Sequence, residues 1–107
     1  RAILKRFLPD PGEGPDAQAR ENGFFEFWAH GSAGAEGEHS LRVKVTGKRD
    51  PGYGATSRML AQAGLCLAQD DLAVEGGIWT PASALGDALV KRLAQVDVHF
   101  EVVESAL

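Results

Sequence analysis

Apolar and polar positions alternate along three stretches of this chain and recur at helical spacing along others. "FFEFWAH" sets Phe25, Phe27 and Ala29 to one side and Phe24, Glu26, Trp28 and His30 to the other, the period of a strand. So many aromatic residues predict burial on both faces, or on one face plus a partner. "LRVKVTG" alternates more cleanly, with Leu41, Val43 and Val45 inward and Arg42, Lys44 and Thr46 outward. "GSAGAEGEHS" between the two predicts a hairpin loop of about ten residues. The closing "VHFEVVE" alternates Val98, Phe100 and Val102 against His99 and Glu101 and predicts a terminal strand. "GGIWT", ending at Thr80, predicts a short extended segment.

Between these lie helical patterns. Met59, Leu60, Ala63, Cys66 and Leu67 share one stripe of a helix predicted over Ala55 to about Gln69. Thr80-Pro81 announces another helix, with Thr as N-cap and Pro in the first turn. Leu85, Ala88, Leu89, Arg92 and Leu93 follow at helical spacing. "DAQAREN" predicts one or two turns, opened at Pro15 or Asp16 and closed by Asn22-Gly23. "RAILKRFL" has the pattern of the last turns of a helix, and "PDPGEGP" then breaks regular structure. The order is strand, strand, helix, short strand, helix, strand. It predicts an α+β domain: a mostly antiparallel sheet with two main helices packed on one face.

Length and composition narrow the picture. The 107 residues are expected to form one domain, large enough for one core and too small for a core plus a separate cofactor-binding domain. The formal net charge of -4 argues against nucleic acid as a partner. The one cysteine, Cys66, allows no intrachain disulfide and reads as a small core side chain. No apolar run is long enough to span a membrane, no secretory signal is visible, and a cytoplasmic location is the expectation. The chain opens on Arg1 rather than Met, so a piece of a longer polypeptide is expected.

The most suggestive local chemistry is "RDPGYGATS". "GYGATS" comes within one residue of the dinucleotide fingerprint, and Asp70 and Asp71 follow about 20 residues after the loop. The fingerprint needs a parallel strand that ends at its first glycine. Here "KRDP" intervenes, and the preceding strand already pairs in a hairpin. Asp50-Pro51-Gly52 instead has the residue types of a β-turn. Lys48 and Arg49 stand beside the start of the following helix and are candidate anion-binding residues; the alternative is a solvated edge. Tyr53 is either a proton donor near a substrate or a ring that packs locally. Asp70 and Asp71 read as an acidic pair in water at a helix end. Trp28 and Trp79 read as core or interface anchors. His30, His39 and His99 lack ligand spacing, so no metal is expected, and no serine sits in a G-x-S-x-G setting.

In order and with similar spacing, "GEGP…ENGFF", "DPGYGATSRMLAQAGLCLA", "GGIWTPASALGDALVKRL" and "VHFEVVE" resemble the C-terminal part of saccharopine dehydrogenase-like oxidoreductases. The bacterial group that includes trans-acting enoyl reductases is the nearest look-alike. The resemblance implies that residues 1–107 are a C-terminal domain of a longer enzyme whose N-terminal Rossmann half binds NAD(P). It implies partners in that Rossmann domain and in a second copy, as a homodimer, with no cofactor held by this chain. It also implies a substrate-side role, for which Tyr53, Thr56 and Thr80 are the candidate polar groups; no catalytic residue follows from it. The alternative is a stand-alone dimerisation or apolar-ligand-binding module that uses Phe24, Trp28 and the sheet edge.

Overall fold

A computed structural model describes residues 12–34 and 39–106, with the side chains of 104–106 left aside. The helical pattern at residues 1–8 and the middle of the hairpin loop lie outside the described residues.

The chain forms α1 (Ala17–Asn22), β1 (Phe24–Ala33), β2 (His39–Lys48), α2 (Gly54–Gln69), α3 (Pro81–Ala94) and β3 (Val98–Ala106). The strands make one antiparallel sheet in the order β1-β2-β3. With two main helices, this is the α+β fold that the pattern predicts. Two local expectations change. The strands continue past the alternating stretches, to Ala33 on one side and from His39 on the other, so the hairpin loop is shorter than ten residues. The segment before Thr80 is not a strand; with glycines at 76 and 77 and Pro81 close behind, it lacks the length to pair.

The helix signals act as read. Asp16 caps α1, its side chain accepting from the Ala19 backbone N–H at 2.7 Å. Thr80 caps α3 through the Ser83 N–H at 3.3 Å, with Pro81 opening the helix. Such caps satisfy N–H groups that have no partner in the first turn.

Register fixes the two faces of the sheet. Phe27 lies opposite Val45, and Val45 opposite Phe100; Ala29 lies opposite Val43, and Val43 opposite Val102. Together with Phe25, Leu41 and Val98 these residues make one face largely apolar, with His39 at its far end. The other face carries charge. Lys44 pairs with Glu26 at 2.8 Å and stands 5.3 Å from the centre of the Trp28 ring, whose N–H donates to Glu26 at 2.6 Å. The Lys44 ammonium beside it, and then the indole N–H, hold the Glu26 carboxyl below its usual range. Val103 is an extra residue in β3, where the register shifts between Arg42 and Val43.

The core sits at one end of this sheet. There α3 packs on β3, and α2 packs on α3. Ala55, Cys66, Leu85, Leu93 and Val98 are buried. At the same end the Phe25 ring lies over Gly47, in the space a side chain at 47 would need. Away from that end the apolar face is open: Phe27 is 62% exposed and Val102 60%. The α2 stripe is also narrower than its spacing predicts. Cys66 is buried and Met59 and Ala63 half-buried, whereas Leu60 and Leu67 are exposed.

Candidate functional site

Three polar or concave features stand out, and the sequence candidates divide among them. The first is at the turn into α2. The Asp50 carboxylate accepts from the backbone N–H of Tyr53 at 2.7 Å and of Gly54 at 3.3 Å. These bonds, the Tyr53 one foremost, hold its pKa below the usual range. Residues 51–53 form the turn that Asp50-Pro51-Gly52 predicts. The N–H groups of Tyr53, Gly54 and Ala55 at this helix start are bonded to Asp50, and β2 pairs antiparallel on both sides. This is not the parallel strand, loop and helix of the dinucleotide fingerprint.

The end of α1 is clamped onto this turn. Asp50 N–H donates to the Arg20 carbonyl at 3.0 Å, and Arg49 N–H to that of Gly23. A side-chain carbon at 23 would stand 2.6 Å from the Asp50 nitrogen, so only glycine allows this approach. Arg49 sits at φ 80, a left-handed conformation costly for a non-glycine residue. The clamp and an ion pair with Glu21 hold it there. The result is an open cleft of about 410 Å³ lined by Arg20, Glu21, Arg49, Tyr53, Ser57 and Arg58.

The second feature is an apolar groove of about 300 Å³ between α2 and the start of α3, lined by Leu60, Leu67, Trp79, Thr80 and Leu85 among others. The Trp79 ring N–H donates to the Glu75 carbonyl at 3.1 Å. The third joins the far ends of the helices. The Arg92 guanidinium donates to both oxygens of Asp70, each at 2.6 Å. The Arg92 pairing foremost, and then the Cys66 thiol, pull the Asp70 pKa down to about 2. Burial pushes the thiol of Cys66 up. Asp70 is thus an ion-pair partner rather than half of a solvated acidic pair, because Arg92 lies on the inward side of α3 and turns back toward it.

The structure brings Tyr53 and Arg49 into one cleft and separates the other candidates. Lys48 extends to Asp97 at 3.3 Å. The Thr56 hydroxyl donates to the Pro51 carbonyl at 2.6 Å. Thr80 caps α3 beside the apolar groove. Phe24 and Trp28, the anchors of the module reading, lie on the charged face of the sheet rather than the apolar one. Arg20 and Arg58 went unrecognised in the sequence because neither is near Arg49 by helical or strand spacing; only the clamp unites them. Arg92 carried a signal, since a cation at an inward helical position asks for a buried partner.

Among the described residues no group of three or more His, Cys, Asp or Glu could hold a metal ion. No described helix is long and apolar enough to cross a membrane.

Comparison with known proteins finds relatives over nearly the whole chain. A Mycobacterium tuberculosis protein named "Putative trans-acting enoyl reductase" is 39% identical over 108 residues, covering 99% of this chain and 25% of that protein. A trans-acting enoyl reductase of Mycobacterium bovis is 38% identical over 97 residues, covering 87% of this chain and 22% of the relative. One of Mycobacterium ulcerans is 36% identical over 99 residues, or 89% of this chain and 22% of the relative. No family model matches, and no solved structure matches. The chain spans about a quarter of the length of the curated relatives it matches, and these relatives are oxidoreductases by name.

Proposed function

We propose that this chain is the substrate-side and assembly domain of an NAD(P)-dependent oxidoreductase of the saccharopine dehydrogenase-like type, related to trans-acting enoyl reductases. Reduction of an enoyl group needs a hydride donor held against the substrate carbon. We assign that donor to a Rossmann domain elsewhere in the same polypeptide, because the glycine turn of this chain is occupied by its own Asp50 carboxylate. The isolated domain is then inactive.

The observation that carries this reading is the open apolar sheet face, taken with relatives about four times as long. Phe27, Phe100, Val102 and Leu41 leave on the order of 400 Å² of apolar surface in water, within the range of the largest patch on an ordinary monomer, a size that is often functional. A neighbouring domain or a second copy covering this face would make the sheet a structural floor for the substrate pocket. A homodimer through the same face follows the same logic. The stand-alone module would use Phe24 and Trp28 on the opposite face and is set apart by needing no cofactor domain.

The test is to divide the complete gene product. With residues 1–107 removed, the remainder is expected to retain NADPH binding and lose reduction of an enoyl thioester, followed as NADPH consumption. Loss of nucleotide binding together with this segment, or full turnover without it, would refute the assignment.

A further inference from the structure

The cleft at the start of α2 gathers positive charge in a chain whose formal net charge is -4. Three guanidinium groups line it, those of Arg20, Arg49 and Arg58, against the single lining carboxylate of Glu21. Glu21 is engaged by Arg49. Among the described residues, the side chains of Arg20 and Arg58 have no hydrogen bond or ion pair; Arg20 is near enough to help lower the pKa of Asp50, which is already bonded to backbone N–H groups. Like charges facing one cavity repel, and the fold spends a left-handed arginine and a backbone clamp on holding them together. That cost implies an anion that draws them together. Asp50 takes the N–H groups of Tyr53, Gly54 and Ala55, which leaves the recognition chiefly to the guanidinium groups. Guanidinium favours phosphate through paired N–H donors. The cleft, about 410 Å³, exceeds what a bare phosphate ion fills, and the 63%-exposed Tyr53 ring stands on its wall.

We propose that this cleft binds a small molecule bearing a phosphate monoester, with Arg20 and Arg58 on the phosphate and Tyr53 against the organic body. The inference rests on the cleft alone and holds whether or not the redox reading does. The test uses the complete gene product labelled with 3-fluorotyrosine, the Tyr53 resonance being assigned by Tyr53→Phe. Inorganic phosphate, titrated at constant ionic strength, is expected to shift that resonance saturably in roughly the millimolar range. Arg58→Gln and Arg20→Gln should each weaken binding about tenfold, the effect of losing one charge-assisted contact. Arg58→Lys, which keeps the charge, should recover part of it. Arg42→Gln, on the charged sheet face, should leave the affinity unchanged. Adenosine 5′-monophosphate should bind more tightly than inorganic phosphate; equal affinity would overturn the role given to Tyr53. A shift that never saturates, equal binding of glutarate, or an equal loss in Arg42→Gln would overturn the phosphate site.

Discussion

Phe27→Ala measures whether the apolar sheet face is covered in the intact protein. In this structure Phe27 is 62% exposed. A phenylalanine offers on the order of 200 Å², so roughly 75 Å² is already withdrawn from water, worth about 2 kcal/mol at about 25 cal/mol per Å². Covering the remaining roughly 125 Å² adds about 3 kcal/mol by the same coefficient. The expected cost in the complete gene product is therefore about 5 kcal/mol, the upper end for phenylalanine truncation in a packed core. Urea denaturation read by far-ultraviolet circular dichroism gives the number, provided the slope against denaturant is unchanged. Phe24→Ala is the control. Phe24 lies on the charged face and is 79% exposed, so its truncation should cost only about 1 kcal/mol. A Phe27→Ala cost of about 2 kcal/mol would mean the face stays open, and the assembly role would fall.

Asp70→Asn should destabilise the protein at neutral pH. The folded-state pKa of Asp70 is lowered from 3.8 to about 2, so the stability it contributes is complete above the ordinary value and is lost as pH falls through about 2; acid titrations of wild type and variant should converge there. Thr80→Ala removes the α3 cap and should cost about 1 kcal/mol, seen as a lower denaturation midpoint. Gly47→Val places a side chain where the Phe25 ring lies and should cost about 1–3 kcal/mol by overpacking; Gly47→Val with Phe25→Ala should recover part of that loss if the ring is the obstacle.

Much of the fold was legible because local signals and burial agree. Thr80-Pro81, Asp16 and the alternation of β2 act in the structure as their chemistry dictates. Where the reading departs, packing explains the difference. Leu60 and Leu67 share a helical stripe with Cys66, but among the described elements α2 packs chiefly on α3, which leaves them exposed. The segment at Ile78 looks strand-like in composition, yet it joins no strand, and Ile78 is fully exposed. The candidate site was less legible. Arg49 was visible beside its turn, but Arg20 and Arg58 join it only through the approach that Gly23 permits. Thr56 and Thr80 have the right chemistry for substrate contact and use it on the backbone, Thr56 on the Pro51 carbonyl and Thr80 as a helix cap.

The most direct measurement is a fluorescence titration of NADPH into the separately expressed 107-residue chain, beside the complete gene product. The chain alone should show no saturable binding in the micromolar range, and the complete protein should show it. Micromolar binding by the chain alone would place the nucleotide site within these residues and contradict the assignment of the cofactor to another domain.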